Sequence, residues 1–443
     1  MRITTCLHWP ATLLLALVAG AASAQGLTGD VPTIDIKDGK VSALPITIVP
    51  FAAENAGLPP ETDVADVVRM DLNRSGQFRA LPKNDVVEFP SRGSEIKFPT
   101  WNLLKQAYIT VGRVSDAGGG ALRVEFELYD VARQERLFGL AITGQRSDLR
   151  SVAHQVADAI YEKILNVRGA FWTRVAYVTS TGVAPNLQYS LMVADSDGYN
   201  PQVVVRSREP LLSPAWSPDG KKLAYVSFER GDSAIYIQEI ATGSRQLISN
   251  RKGINGAPAF SPDGSRLALT LSYVGNPEIF VMDLGSKALT RLTNHFAIDT
   301  EATWTPDGQS LIFTSDRSGK PQLYQVPATG GDAARVTFQG EYNARASISF
   351  DGNKIAMAQG SGNVYRIAVL DRSRGGGQVS SVSPGSVDES PSFAPNGSML
   401  LYAATEGPKG VLYAVSADGR VRQRLVLADG DVREPAWGPF RQR

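Results

Sequence analysis

Through the second half of the chain, apolar and polar positions alternate in short bursts, and the bursts recur. An apolar triplet meets a polar turn in Pro214-Ala215-Trp216-Ser217-Pro218-Asp219-Gly220, and again in Pro258-Ala259-Phe260-Ser261-Pro262-Asp263-Gly264. Looser copies cover 302–308, 346–352 and 391–397, and a last triplet, Pro435-Ala436-Trp437, stands near the end. The bulky residue falls at 216, 260, 304, 348, 393 and 437, a period of 44 with a single step of 45. In the turn, Pro presets φ and Asp-Gly accepts the tight reversal. Each turn leads into a second apolar strand (222–227, 266–271, 310–315, 354–358, 399–403), then an alternating third and a short, polar-edged fourth. Four short strands per period of this length predict one blade of a β-propeller.

The two ends of the repeat region are complementary halves. A second-type strand at 174–178 lacks a preceding triplet, and the triplet at 435–437 lacks a following strand. The last segment therefore supplies the inner strand of the first blade. That closes a ring of six blades and leaves no open sheet edge between first and last. Such closure favours a monomer.

Upstream, 30 to about 167 has no repeat. A buried-type strand is predicted at 45–51 and a helix over 63–72 from the spacing of Val64, Val67, Val68 and Leu72, with 73–76 as its stop. Three successive strands follow at 108–112, 122–128 and 137–143, the second alternating as a strand with one solvated face does. A last helix, 149–165, lines up Val152, Val156, Ala159, Ile160 and Ile164 on one stripe. The expected organisation is a multidomain chain, α/β plus all-β. It consists of residues 1–24 as a signal peptide, 25–36 as a strand-forming segment, 37–167 as an α/β domain, and 168–443 as a six-bladed β-propeller closed by the C-terminal strand.

The signal-peptide reading rests on Arg2, an apolar run over 11–22 and the Ala22-Ser23-Ala24 cleavage pattern. Cleavage would remove Arg2 from the 45 basic residues and so balance the 44 acidic ones. A neutral chain carries no nucleic-acid footprint and no polybasic membrane patch. Cys6, the one cysteine, would leave with the signal, taking disulfides and thiol nucleophiles out of consideration. An exported, periplasmic protein is expected.

Candidate chemistry is sparse. His154 lies on the periodic face of a helix, where packing is the default, and His295 follows a strand end, where a polar loop is the default. With His8 and Cys6 gone with the signal, the two remaining histidines cannot build a His/Cys metal cluster. No Gly-x-Ser-x-Gly elbow occurs. The Gly-rich runs 118–120 and 375–377 lack the strand-to-helix setting of a phosphate loop, and the Asp-Gly turns serve their reversals. No cofactor, metal or enzymatic activity is expected.

The positions just before each inner strand are different, because they do not repeat. They read Leu211-Leu212-Ser213, Asn255-Gly256-Ala257, Asp299-Thr300-Glu301, Asn343-Ala344-Arg345, Asp388-Glu389-Ser390 and Val432-Arg433-Glu434. A loop entering an innermost strand lies at one mouth of the central channel, and divergence there suggests an asymmetric rim for a protein partner. Asp299 with Glu301 is also a weak hint of a hard cation.

The signal, the α/β domain, the strands of Ala-Tyr-Val type, Asp195-Ser-Asp-Gly-Tyr-Asn200 and the Pro-Ala-Trp-Ser-Pro-Asp-Gly phrase together resemble the TolB family, periplasmic propellers of the Tol-Pal system of Gram-negative bacteria. The resemblance covers almost the whole chain after the signal. It implies a non-enzymatic scaffold that grips the lipoprotein Pal at one propeller mouth and is bound by TolA through its N-terminal segment. That system supports outer-membrane integrity and constriction at division, and colicins parasitise it. By position, Asn255, Gly256, Ala257, Thr300 and Glu301 match the Pal-facing loops. The wider rim adds Asp299, Asn343, Arg345, Asp388, Glu389, Arg433 and Glu434. Val31, Thr33, Ile34, Asp35 and Ile36 match the segment taken by TolA, whose alternation suits β-augmentation. Here 25–30 precedes that segment, so its register on TolA stays open. The alternatives are a propeller that regulates a peptidase or hydrolase, and a periplasmic propeller that binds a sugar or a cation.

Overall fold

The computed structural model describes residues 34–36, 43–55, 60–373, 377–425, 427 and 430–442. The expected signal, residues 25–30, Val31 and Thr33 lie outside them. In chain order the first part comprises β1 (Ile34–Ile36), β2 (Leu44–Ile48), β3 (Ala52–Glu54), α1 (Val64–Arg74) and β4 (Phe78–Ala80). It continues with α2 (Phe98–Leu103), β5 (Tyr108–Gly118), β6 (Ala121–Asp130), β7 (Glu135–Gln145) and α3 (Leu149–Leu165). Asp63 caps α1 by accepting the Asp66 N–H at 3.1 Å. Val64, Val67, Val68 and Leu72 form its buried stripe, as the spacing predicts. The sheet runs β4-β2-β5-β6-β7, with β2 parallel to β4 and β5 and with β5, β6 and β7 antiparallel. The strand expected at 45–51 is β2, which ends at Ile48, and a separate strand, β3, follows it at 52–54; each pairs a different stretch of β5.

Six four-stranded blades follow. Blade one is Arg174–Thr181, Gln188–Asp195 and Gln202–Ser207, with the C-terminal strand Asp431–Trp437 as its inner member. That closing pair is antiparallel, with Val432 opposite Thr179 and Ala436 opposite Ala176. The inner strands of blades two to six are Leu211–Trp216, Asn255–Phe260, Asp299–Trp304, Tyr342–Ile348 and Glu389–Phe393.

The repeated turns of blades two to five are stitched in the same way, by Ser217, Ser261, Thr305 and Ser349; blade six has Ala394 there and no such hydroxyl. Ser217 Oγ donates to Asp219 Oδ1 at 2.6 Å and accepts from the Lys222 N–H at 2.9 Å, while Gly220 takes φ +67°. Only glycine adopts that backbone without strain. The bulky residue locks neighbouring blades together. The indole N–H of Trp216 donates to Ala436 O and that of Trp304 to Ala259 O, both at 3.0 Å.

One apolar core joins the two parts. It runs from Ile46, Val68, Leu72 and Val156 through Phe171 to Val175, Tyr177, Met399, Leu401 and Trp437. Strand β1 adds a fifth member to blade six by pairing antiparallel with its outer strand Val421–Arg424, Ile34 opposite Gln423 and Ile36 opposite Val421.

Trp437 is buried, donates its indole N–H to Thr173 Oγ1 and closes the ring. Trp437→Ala is expected to cost about 3–5 kcal/mol, the usual loss for a buried large-to-small change, read as a lowered urea midpoint at unchanged slope.

Candidate functional site: the channel mouth

Every inner strand carries the same defect. Its pairing with the second strand slips by one residue between positions 212 and 215, 256 and 259, 300 and 303, 344 and 347, 389 and 392, and 433 and 436. At each β-bulge one residue sits in the left-handed region: Ser213, Ala257, Glu301, Arg345, Ser390 and Glu434, with φ between 45° and 56°. None is glycine, so each costs of order 1 kcal/mol, repaid only where neighbours over-determine it. Two of the neighbours are visible. The Glu301 N–H donates to Thr270 Oγ1 and the Arg345 N–H to Thr314 Oγ1, each threonine belonging to the preceding blade.

The bulge re-aims these side chains at the channel axis. Arg345 of blade five reaches Glu301 Oε1 of blade four at 2.8 Å and Glu434 Oε1 of blade one at 2.9 Å, and it also donates to Ser390 Oγ of blade six. Side chains from four blades can meet only where the inner strands converge. The second oxygen of Glu301 accepts from Thr314 Oγ1, and that of Glu434 accepts from the Ser213 N–H. Burial alone would lower the Arg345 pKa, but the carboxylates of Glu434 and Glu301 hold it above the ordinary arginine value. The mouth is floored by a fixed charge network.

The three positions expected just before each inner strand lie inside it, except Asp388, which directly precedes Glu389–Phe393, because the strand begins ahead of its bulge; the first of the three belongs to the scaffold. Asn255, Asp299, Asn343 and Asp388 are all fully buried. Asn255 accepts from Ser249 Oγ and the Arg251 N–H and donates to Arg251 O, tying down its own loop. Asn343 donates to Gln339 O and Gln322 Oε1. Asp388 accepts from Ser383 Oγ and the Gly385 N–H. Asp299 pairs with Arg317 at 2.7 Å. These four brace the rim from beneath. Asp299 and Glu301 each hold a different guanidinium, so they do not form a joint cation site.

The second position reaches the surface more often. Gly256 and Thr300 are half-buried, and Thr300 Oγ1 lies 3.4 Å from Thr270 Oγ1. Glu389 pairs with Arg433, which also holds Asp431. Ala344 is buried.

At the same end of the propeller stand exposed apolar side chains that polarity-based reading passes over. The loops entering the inner strands expose Ile254, Phe296, Ile298, Phe338 and Val387, with Phe296 88% and Phe338 75% exposed. Tyr273 and Val274, in the loop between the second and third strands of blade three, are exposed at the same end. The His295 ring stacks on Phe296 at 4.3 Å, and Arg335 lies over the Phe338 ring at 5.4 Å. Large apolar side chains grouped at the end that carries a charged floor mark an interaction surface. For Ile254, Phe296, Ile298, Phe338 and Val387 the signal was available, since each stands shortly before an inner strand.

Removing the central cation isolates two acids that the fold holds together. Arg345→Met is expected to cost roughly 1–3 kcal/mol, given that the group is partly solvated. Adding Glu301→Gln and Glu434→Gln should recover most of that loss, read by urea unfolding of the single and triple variants.

Comparison with known proteins agrees with this architecture. Residues 32–137 match the family model for the TolB amino-terminal domain, and residues 161–441 match the model for the TolB beta propeller domain. The chain is 71% identical over 437 residues, 98% of each chain, to "Tol-Pal system protein TolB" of Xanthomonas campestris pv. campestris (strain B100). It is 70% identical over the same length to the protein of that name from Xanthomonas oryzae pv. oryzae (strain KACC10331 / KXO85). It is also similar to the crystal structure of TolB from Acinetobacter baumannii, at 42% identity and a TM-score of 0.83, covering 93% of this chain and 100% of that one.

Proposed function

The chain belongs to the TolB family of Tol-Pal system proteins, and on that premise we propose that it is a non-catalytic periplasmic binding protein, holding Pal at the channel mouth and offering TolA its N-terminal strand. In that role it supports outer-membrane integrity and constriction at division. The observation that carries the reading is the mouth itself, where exposed Ile254, Phe296, Ile298 and Phe338 stand at the same end as the floor fixed by Arg345. Burying such side chains drives association, while Thr300, Glu301, Glu389 and Arg433 set register and polarity.

The second half of the reading concerns β1. Residues 34–36 already act as an added strand, on the outer edge of blade six. Three paired residues make a small contact that another sheet edge can outcompete, which is how a strand is exchanged between partners. On this reading TolA competes with blade six for the segment, and occupation of the mouth biases the competition. A catalytic role has little to stand on. The His154 ring is hemmed by Asp71 and Asp197, and His295 Nδ1 accepts the Ala297 N–H.

Pull-down from an envelope extract tests the mouth. The wild-type chain should recover Pal, Thr300→Arg/Glu301→Arg and Phe296→Asp/Phe338→Asp should each weaken recovery at least tenfold, and Lys287→Glu, on the opposite end, should not. Wild type that recovers no Pal overturns the reading. For the segment, adding Pal should change protease sensitivity over 25–36 and shift TolA affinity. Unchanged values for both would remove the coupling and leave the mouth untouched.

A further inference from the structure

Away from the mouth, the joint between the α/β domain and the propeller encloses a charge cluster that the binding function does not use. His154, on α3, is 1% exposed. Its Nδ1 lies 2.6 Å from Asp71 Oδ2 on α1, and its Nε2 lies 3.4 Å from Asp197 Oδ2, in the propeller loop that follows Gln188–Asp195. The imidazole therefore stands between a carboxylate of each domain. Two guanidiniums complete the joint. Arg74, on α1, pairs with Asp71 at 2.9 Å and donates to Ser196 O and Ser196 Oγ. Arg150, one turn ahead of His154 on α3, pairs with Asp197 through Nε and Nη2 and lies 3.3 Å above the Tyr199 ring.

From the geometry, we propose that His154 is a proton-operated clamp. Its imidazolium hydrogen-bonds Asp71 of its own domain and attracts the propeller's Asp197 across 3.4 Å, which holds the two domains in one orientation, and losing the proton frees the Asp197 side. A neutral imidazole has a single N–H, and the 2.6 Å contact to Asp71 claims it. The remaining nitrogen would then turn a lone pair toward Asp197, exchanging attraction for repulsion inside a buried joint. The cluster is built around a proton. Although a donor atom of each of Asp71, His154 and Asp197 lies within 4.8 Å of the others, Asp71 is in direct hydrogen-bond contact with the ring and each carboxylate already carries an arginine, a setting that suits a proton.

The groups facing the ring set the direction of titration. Burial alone would push His154 down, but Asp71 and Asp197 outweigh it and hold the pKa above the ordinary 6.5, against a smaller opposing effect of Arg74. Burial would likewise raise Asp197, yet His154, Arg150 and Arg74 bring it down to about 2. Asp158, one turn further along α3, is pushed up to about 7 by burial even though it accepts the N–H groups of Phe171 and Trp172. Asp195, on the propeller side, is raised by burial too. A histidine raised on folding contributes its full stabilisation below 6.5 and loses it as pH climbs through the folded value. Asp158, being raised, slopes the same way, so the two must be separated.

The test uses the full chain from pH 5.5 to 9.5. Nitrogen-15 NMR of the histidine rings, with His154 assigned by its loss in His154→Gln, should show the cationic form at pH 6.5 and titration above that value. Hydrogen exchange of peptides covering 68–76 and 193–200, corrected for intrinsic chemistry, should accelerate by up to about tenfold per pH unit across that titration. Asp158→Asn should keep the acceleration and His154→Gln should abolish it. A neutral imidazole at pH 6.5, flat protection in the wild type, or the same acceleration in His154→Gln would each overturn the clamp. The exchange profile of the wild type needs no variant to fold.

Discussion

Everything in the propeller depends on one pairing, that of the C-terminal strand Asp431–Trp437 with Arg174–Thr181. It joins residues more than 250 positions apart, so it carries a loop-closure cost that no local preference offsets. In return it forces six inner strands to share one axis. Only then can Arg345 of blade five touch Glu301 of blade four and, past blade six, Glu434 of blade one. The same strand brings Val432 and Trp437 into the core that also holds Phe171 and the helices of the α/β domain. Ring closure, channel floor and domain docking are thus consequences of a single contact.

What could be read from the sequence follows from what is local. The turns announce themselves because Ser, Asp and Gly are each needed within a few residues, as the Ser217–Asp219 bond shows. The helix Leu149–Leu165 is legible because its stripe faces one core. The bulges are invisible for the opposite reason. Ser213, Ala257, Glu301, Arg345, Ser390 and Glu434 share no chemistry, and their left-handed backbone is imposed by the convergence of strands. Short elements such as Phe98–Leu103 give no periodic signal. Polarity misleads in both directions at the mouth. Asn255, Asp299, Asn343 and Asp388 have surface letters but are buried, because a loop that turns into an inner strand has backbone groups only a short polar side chain can satisfy. Phe296 and Phe338 have core letters and stand in solvent.

That inversion has an energetic sense. A rim that must hold its shape while empty needs its polar groups occupied from within, and the buried Asn and Asp residues occupy them. A rim that must bind needs surface whose desolvation is favourable, which apolar side chains provide and charges do not. The axial Arg345 network sits between the two requirements. It is satisfied in the free protein, so a partner can cover it without leaving an unpaired charge.

The two charge networks then differ in kind. At the axis the cation is an arginine, which the carboxylates of Glu434 and Glu301 hold above its ordinary value, so it keeps its charge through neutral and mildly basic pH. At the domain joint, the bridging cation is a histidine whose folded pKa is raised from 6.5. Proton concentration in that range therefore acts on the joint and leaves the floor of the mouth as it is. An arginine in place of His154 would fix the joint permanently, as Arg74 and Arg150 already fix its flanks. Of the groups there, the cation that can lose its charge is also the one placed between the carboxylates of the two domains, and that position makes the orientation of the domains the property its proton controls.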